Sequence, residues 1–567
     1  MDPANKNKRH LLTILVEDYF HVGAFEKLIQ QRNWQNFEPR YEQNTLKTLD
    51  LLDRYNTKAT FFVLGWIAEQ NPGLIREIVA RGHEVASRGF YHRSLKNLTD
   101  EEFREDLRRT NRAIHSASGQ KVIGYRAAEK LSFEDKSWVF DVLADEGFAY
   151  DASFLPSKRS DKPKRMAHQV HAGARALWEF PYSTKDLGIG LLPISGGNYF
   201  RQIPYTLMRH AVRDWHAQND APFVFYFHVW ELDPEQPRIS AASKFNHIRH
   251  YRKLDKMEWI VHENLAMYDW QGMADHLGLK EDVQPHDARR PELVEPRSVR
   301  TRKSDKHTPV SIVIPCYNEQ EALPYLANTL RSVETKLHEK GYDPEILFVD
   351  DKSKDGTLKC LEDLFGGHKN VRILRHDTNM GVAAGIMTGI QAADSAIVCS
   401  MDCDCTYDPH ELARMLPLLA DDVDLVTASP YHKDGGVRNV PGWRLFLSRG
   451  ASFLYRRVLR SKLDTYTSCF RVYRRSAFVG LELSESGFLG VAEMLGRVDL
   501  SGGKIVEFPA VLEVRLFGIS KMKTVKTIGG HLKLLARLTK LRFFRKSPLI
   551  ESSIPEEKLL ASKNPTD

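Results

Sequence analysis

Two carboxylates one residue apart, Asp402 and Asp404, follow a short apolar run, Ser395-Ala-Ile-Val-Cys-Ser-Met401. The run is bounded by polar residues and reads as a buried strand of a parallel sheet. Extended backbone repeats every two residues, so both carboxylates are expected on one side of the chain. At the carboxyl edge of such a sheet they could share one hard divalent cation, which prefers oxygen ligands. An ion held there would neutralise a leaving diphosphate as its bond to a sugar breaks. A lone Asp-x-Asp is also the composition of an ordinary acidic turn. What favours the chemistry is that other strand-like runs in this half end in acidic residues too. Thr308–Pro315 runs into Cys316-Tyr-Asn-Glu319, and Glu345-Ile-Leu-Phe-Val349 ends in Asp350 and Asp351. Singly these carboxylates could be helix caps; together, on consecutive strand ends, they mark a ligand edge.

The elements that must position these groups are legible around them. Leu323 to Leu337 has helical spacing and Val371-Arg-Ile-Leu374 reads as a further strand, so a doubly wound α/β sheet is expected from about residue 308. In the first half, Leu11–Val16, Thr57–Gly65 and Gly82–Ser87 read as strands, with a helix over Asn71–Arg81 opening on Pro72. Strands alternating with helices over some 280 residues imply a parallel, barrel-like α/β arrangement.

With 567 residues, 42% hydrophobic and 27% charged, the chain is expected to hold two or more globular domains. Its net charge of +7 assigns nothing to nucleic acid, and no nucleic-acid partner is expected. No window approaches the ~18 uninterrupted apolar residues of a spanning helix. The N-terminus runs straight into a strand rather than a secretion signal. All six cysteines (316, 360, 399, 403, 405 and 469) lie in the second half, with neither zinc nor disulfide spacing, which suggests reduced thiols in a cytoplasm. Cys403 and Cys405 could bind a soft metal or simply fill a strand. Residues 282–307 are charged, proline-bearing and unable to bury a core, hence a linker. The expected division is 1–281, the linker, 308–530, and a basic tail over 531–567.

Lys58-Ala-Thr-Phe-Phe-Val-Leu-Gly65 and Gly82-His-Glu84 resemble the NodB-type polysaccharide deacetylases, which fold as distorted β/α barrels. Val16-Glu-Asp-Tyr-Phe-His-Val22, Gly124-Tyr-Arg126 and Phe225–Ile239 are similar to the subgroup found with exopolysaccharide and exosortase loci. The resemblance implies a zinc site of one carboxylate and two histidines spaced His-x-x-x-His, with an Asp as general base. The base would fall at Leu15, which cannot take a proton, and the first histidine at Arg88. A guanidinium stays charged and offers no lone pair. Ala128 stands where a proline is expected after the Arg126 motif. Glu17 or Asp18, His92 and His228 remain, too few for zinc with a base. A degenerate barrel serving in glycan binding or scaffolding is expected, the alternative being an active metal-dependent N-deacetylase.

Val313-Ile-Pro-Cys-Tyr-Asn-Glu319, Val349-Asp-Asp-Lys-Ser-Lys-Asp-Gly-Thr357, Asn379-Met-Gly381 and Asp402-Cys-Asp404 resemble family 2 glycosyltransferases of the GT-A fold. The similarity is greatest to the dolichyl- or polyprenyl-phosphate sugar synthases, and Ser468–Arg474, Gly487–Leu495 and Arg515–Lys521 look like their acceptor half. The resemblance implies that Pro315, Tyr317, Glu319 and Asp350 or Asp351 hold base and ribose. It implies that Asp402 and Asp404 hold Mg2+ or Mn2+. Thr406 departs from the glutamine often completing the metal motif. The expected reaction is hexose transfer from a GDP- or UDP-sugar to a polyprenyl phosphate, a glycan hydroxyl being the alternative acceptor. Val491-Ala-Glu493 supplies one carboxylate, Glu493, as a catalytic or an arginine-orienting group. A phosphate acceptor needs cations, for which Arg515, Ser520 and Lys521, helped by Arg471, are the candidates. From Lys521 to Lys546 there is no Asp or Glu, and Leu534, Leu535, Leu538 and Leu541 recur at helical spacing. This stripe fits either an anionic membrane surface or the helix's own domain, so a cytoplasmic protein with peripheral contact at the inner face of a membrane is expected.

Overall fold

The computed structural model describes residues 8–132, 137–158, 164–172, 175–188, 190–279, 307–518 and 524–544. The expected linker and the end of the tail lie outside them. The chain divides into two compact units. The first holds the described residues up to 279 except Gln35–Glu38 and Arg238–Ala241; the second holds those two segments and the residues from 307 onward.

The first unit is built on a curled sheet of nine strands: β1 (Arg9–Val16), β2 (Thr60–Val63), β3 (Glu84–Ser87), β4 (Gly124–Tyr125), β5 (Tyr150–Asp151), β6 (His168–Ala172), β7 (Arg175–Glu179), β8 (Val224–His228) and β9 (Asp269–Gln271). Their order is β8-β1-β2-β3-β4-β5-β7-β6, with β9 also on β1. Every pairing is parallel except β6 with β7. This is the distorted barrel, open between β8 and β6. Alternation along β1 sorts its side chains. Leu12, Ile14 and Val16 pack outward with the helices, while Leu11 and Leu15 face Phe62, Ala86, Tyr150 and Tyr226 inside. The outer layer includes α1 (Tyr41–Arg54), α2 (Pro72–Ala80) and α3 (Asp100–Ser118). Helix α2 starts where Asn71 accepts from Leu74 N and Pro72 occupies the first turn; α3 opens on a Thr99/Glu102 capping box.

The second unit has seven strands: β10 (Thr308–Cys316), β11 (Tyr342–Asp350), β12 (Val371–Arg375), β13 (Ile397–Ser400), β14 (Leu425–Ser429), β15 (Arg471–Arg474) and β16 (Ile505–Pro509). Their order is β12-β11-β10-β13-β15-β14-β16. Only β15 runs against its neighbours. The register pairs Cys316 with Asp350 and Val313 with Ser400, so β10, β11 and β13 end at one edge. Apolar residues on both faces of the sheet draw helices to both sides. Ile312 and Ile314 pack with α4 (Leu323–Glu339), and Val313 with α5 (Val382–Ala392) and α7 (Phe488–Leu500). Helix α6 (Gly442–Val458) lies between them in sequence, and α8 (Thr524–Phe544) is the last described element.

Helix α8 decides between the two readings left open for its leucine stripe. Leu534 and Leu538 are wholly buried and Leu535 nearly so, all within the unit's own core. The leucine stripe therefore faces protein, not a membrane, because a helix apolar along one side packs first on the core nearest it.

Helix α5 lies close against β10, and a Cβ added at Gly389 would stand 2.2 Å from Val313 Cγ1. Gly389→Ala is expected to destabilise the second unit by about 1–3 kcal/mol, through overpacking against a central strand. Urea unfolding of the full chain measures it, and an unchanged midpoint contradicts that packing.

Candidate functional site

The carboxyl edge of the second sheet gathers the acidic residues. Strand β13 stops at Ser400, and the segment carrying Asp402 and Asp404 is a turn rather than continued extended backbone. Cys405 closes it with φ +52°, and its N–H lies 3.4 Å from Asp402 O. The expectation that period two alignment brings the carboxylates together is thus replaced by a tight turn. The two residues share that turn, and burial and then the Asp404 charge push the Asp402 carboxyl up to about 7. A cation arriving there meets a carboxyl that gives up a proton readily at neutral pH. The donor set, two carboxylates beside Thr406, suits a hard cation such as Mg2+ or Mn2+. Cys403 is buried with its Sγ 3.7 Å from that of Cys316. The Cys316 contact and burial hold its thiol well above the ordinary range.

Opposite the pair stands Arg515. Its guanidinium bonds Glu319, its Nη1 lies 3.6 Å from Asp404 Oδ2, and its Nε donates to Phe517 O at 2.6 Å. Ser520 and Lys521, expected beside it, lie outside the described residues. On the nucleotide side, Asn318 N donates to Ser353 Oγ, Lys354 N to Asn318 Oδ1, and Glu319 N to Thr357 Oγ1. These bonds fasten the loop of Tyr317 and Glu319 to the one after β11. Pro315 is half-buried beneath it, 3.0 Å from where a Cβ on Gly385 would stand.

The two aspartates after β11 divide their work. Asp351 accepts from Met380 N and Gly381 N at 2.7 Å each, Asn379 Nδ2 at 2.9 Å, and faces His376 Nδ1 at 2.8 Å. It builds the Asn379–Gly381 loop. Asp350 Oδ1 takes Ser353 N at 3.1 Å. Its buried Oδ2 accepts no hydrogen bond among the described residues, with Arg375 Nε 3.4 Å away. Of the two, Asp350 keeps an oxygen without a hydrogen bond among the described residues, although its side chain is wholly buried.

One expected role is corrected, that of Arg471, and for Glu493 the structure favours the orienting alternative over the catalytic one. Arg471 is fully buried, donating to Val491 O at 2.7 Å and Tyr466 O at 2.9 Å. It braces β15 against α7 and is closed to a phosphate. Glu493 is buried with both oxygens engaged by Ser484 N, Glu485 N and Arg497 Nε, at 3.0, 2.8 and 2.9 Å. A carboxylate satisfied in this way fixes the loop before α7 and orients Arg497 instead of taking a proton.

Sequence reading did not anticipate a cavity of about 890 Å3 that begins at Asp404, Thr406 and Arg515. The rest of its wall is mainly apolar, with Trp443, Phe446 and Phe453 of α6, Phe488 of α7, and Ile528 and Leu532 of α8. The available signal was the spacing of Trp443, Phe446 and Phe453 along one helix face.

In the first unit the residues of the deacetylase-like motifs do meet, around an arginine. Glu17 is fully buried, with Arg88 Nε 2.9 Å from its Oε2. His92 Nε2 lies 3.0 Å from the same oxygen and 3.1 Å from Arg88 Nη2, and His228 Nδ1 contacts Oε1. Arg88 Nη1 donates to Ala127 O at 3.0 Å. Burial would raise the Glu17 carboxyl, but Arg88, then His228 and His92, outweigh it and hold it well below the usual range. Asp18 is pushed up to about 7 by burial and accepts from Tyr19 N and Tyr41 N at 2.9 Å and Arg40 N at 2.5 Å, a backbone clamp. Arg126 is buried inside the barrel, donating to Ala152 O at 2.8 Å and Thr13 Oγ1 at 3.0 Å. Leu15 lies in the same apolar interior. These residues do not fit zinc: a fixed cation already takes the carboxylate and one histidine nitrogen, and no proton acceptor stands at Leu15.

Residues 311–481 match the profile of glycosyl transferase family 2, residues 28–138 that of polysaccharide deacetylase, and residues 153–278 that of a domain of unknown function, DUF3473. The chain is 30% identical to a dolichol-phosphate mannosyltransferase of Pyrococcus furiosus over 233 residues, 41% of this chain and 64% of that protein. It is also 30% identical to a polyprenol monophosphomannose synthase of Mycolicibacterium smegmatis over 218 residues, 37% of this chain and 80% of that protein. It therefore spans a little under two thirds of the first relative. Among solved structures, a polysaccharide deacetylase from Mycobacterium smegmatis aligns with 52% of this chain and 99% of its own, at 19% identity and a TM-score of 0.33. Glucosyl-3-phosphoglycerate synthase from Mycobacterium tuberculosis, in complex with Mn2+ and UDP, aligns with 42% and 80%, at 17% identity and a TM-score of 0.32.

Removing Arg88 leaves Glu17 as an uncompensated buried charge. Arg88→Ala is expected to cost about 3–5 kcal/mol, seen as a lower first unfolding transition of the full chain, and Glu17→Gln beside it is expected to recover much of the loss. The wild-type chain is expected to purify without stoichiometric zinc. One tightly held zinc per chain, by metal analysis, contradicts this account of the cluster.

Proposed function

Through its second unit the chain belongs to glycosyl transferase family 2, and on that premise we propose that it transfers a hexose from a GDP- or UDP-sugar to a polyprenyl phosphate. The observation that carries the acceptor is the apolar cavity that starts at Asp404 and Arg515. A lipid phosphate needs this pairing, a cation for its head and apolar wall for its chain, and burial stabilises the chain by about 0.8 kcal/mol per CH2. The two curated relatives are named for mannosyl transfer onto dolichol phosphate and for a polyprenol monophosphomannose product, which supports both a hexose donor and this acceptor class.

In the proposed reaction a phosphate oxygen of the acceptor attacks the anomeric carbon. The bond from that carbon to the diphosphate breaks, giving polyprenyl-phosphate hexose and a nucleoside diphosphate. A phosphate monoester is largely dianionic at neutral pH and needs no general base. A glycan hydroxyl would need one, and Glu493, the carboxylate expected to serve, is already engaged by three donors. Glu319, Tyr317, Pro315 and Asp350 line the nucleotide side. Asp402 and Asp404 would hold Mg2+ or Mn2+, which when bound offsets charge on the leaving diphosphate. Arg515, now paired with Glu319 and Asp404, would turn to the acceptor phosphate as it enters. The first unit is assigned a non-hydrolytic, glycan-binding or scaffolding role, on the strength of the Arg88 cluster. No described helix is long and apolar enough to cross a membrane, and we place the protein at the cytoplasmic face of one, in peripheral contact.

Asp402→Asn and Asp404→Asn are each expected to lower transfer by a factor of ~1000 or more while leaving the fold intact. Product mass analysis with a panel of nucleotide sugars, polyprenyl phosphate and Mn2+ reads this. Near-normal turnover by either variant makes the pair a mere turn. Arg515→Ala is expected to raise KM for polyprenyl phosphate about tenfold or more. If wild type glycosylates only a glycan hydroxyl, and Glu493→Gln abolishes that, the acceptor assignment fails.

A further inference from the structure

The second unit is not drawn from the second half of the sequence alone, since Gln35–Glu38 and Arg238–Ala241 belong to it. Phe37 is buried there, its ring centroid 5.0 Å from that of Tyr325 on α4 and 5.9 Å from that of Phe517. Tyr325 and Phe517 are 5.7 Å apart, so the three rings close on one another. Asn36 O accepts from Asn328 Nδ2 at 3.3 Å, which fastens the same segment to α4. In the other segment, Ser240 N donates to Leu516 O at 2.7 Å. Ser240 and Ala241 line the same cavity as Arg515.

These contacts converge on one turn, residues 515–518. An arginine side chain has many rotamers, and binding through it is weakened by whatever freedom it must give up. Here its direction is set by a near neighbour: Arg515 Nε donates to Phe517 O at 2.6 Å, while the terminal nitrogens reach Glu319 and Asp404. The carbonyl that aims the guanidinium thus belongs to a residue whose ring packs on Phe37 and Tyr325. The Leu516 carbonyl between them is held by Ser240. Gly518 closes the turn at φ +69° and donates its N–H to Glu321 Oε2 at 3.1 Å. Leu516 and Phe517 are therefore each held by a group from the first half of the sequence.

We propose that Phe37 and Ser240 are positioning residues of the transferase, bracing turn 515–518 so that the Arg515 guanidinium stays at the cavity wall beside Asp404. Each acts through Arg515. A cation held ready in this way spares the ligand the cost of ordering it. The transfer site is accordingly completed by two short segments that a chain starting at residue 308 lacks, and the first half of the sequence contributes to the reaction without chemistry of its own. The inference rests on the acceptor role proposed for Arg515, but the state of the turn is read without any substrate.

The test uses the full chain. Trypsin cuts after arginine, and a turn that is held in place resists it. Phe37→Ala, which removes a ring, and Ser240→Pro, which removes the N–H, are each expected to speed cleavage between Arg515 and Leu516 about tenfold or more. Mass analysis of the fragments reads this, and should one variant fail to fold, the other reads the same bond. Phe37→Leu keeps most of the packing and is expected to stay near wild type. Gly389→Ala, which loosens the same unit elsewhere, is expected not to favour this bond over other cleavage sites. In transfer assays Phe37→Ala is expected to raise KM for polyprenyl phosphate about fivefold, with kcat and the KM for nucleotide sugar within about twofold of wild type. In an Arg515→Ala background it is expected to add nothing further. Unchanged cleavage after Arg515 overturns the proposal. So does equal acceleration by Gly389→Ala, since the turn then opens only with the whole unit, or a KM effect that persists without Arg515. Faster cleavage in a protein that never glycosylates polyprenyl phosphate supports the brace and overturns the acceptor reading instead.

Discussion

A carboxylate taken out of water must have a positive charge or several donors beside it, and both units are arranged around that constraint. In the first, Glu17 is sealed within the barrel and Arg88 stands against it. In the second, Glu319 and Asp404 flank Arg515, while Asp351 is answered by two backbone N–H groups and an asparagine. The difference between them is what lies beside each. Arg88 is fixed between Glu17, His92 and Ala127 O, whereas Arg515 and Asp404 line a cavity. One arrangement holds a fold together, and the other can exchange its partners for a substrate.

Parallel topology makes the second arrangement possible. Strands β10, β11 and β13 end at one edge, and the loops that leave β10 and β11 are bonded to each other through Asn318 and Ser353. Asn318 and Lys352 take positive φ in these loops and Cys405 does so after β13. Such strained turns are stable only because neighbouring loops fix them from both sides.

Much of this was legible in the sequence, because buried strands of a parallel sheet write themselves as continuous apolar runs with polar ends. The runs at Val310–Ile314 and Ile346–Val349, and the acids beyond them, mark the edge by their order alone. The site's finer assignments were less legible. Arg471 and Glu493 look like chemistry in a string of letters, but their partners are backbone groups of Tyr466, Val491, Ser484 and Glu485, and backbone carries no letter. The leucines of α8 show an apolar face and not what covers it. For α6 the reverse held: its aromatics were in plain sight, but only the fold shows that Trp443, Phe446 and Phe453 stay largely exposed among the described residues. The replacement at Arg88 was visible directly, since a guanidinium in a ligand position changes the chemistry whatever surrounds it.

The Arg88 cluster has a consequence for the cell. A barrel closed around a divalent ion is only as sound as the supply of that ion, and it competes for it with every other metalloprotein. This barrel carries its cation in its own coding sequence, delivered at synthesis in a fixed ratio of one per chain. On the zinc-free reading of the first unit, its integrity is expected to be indifferent to metal scarcity and to chelators.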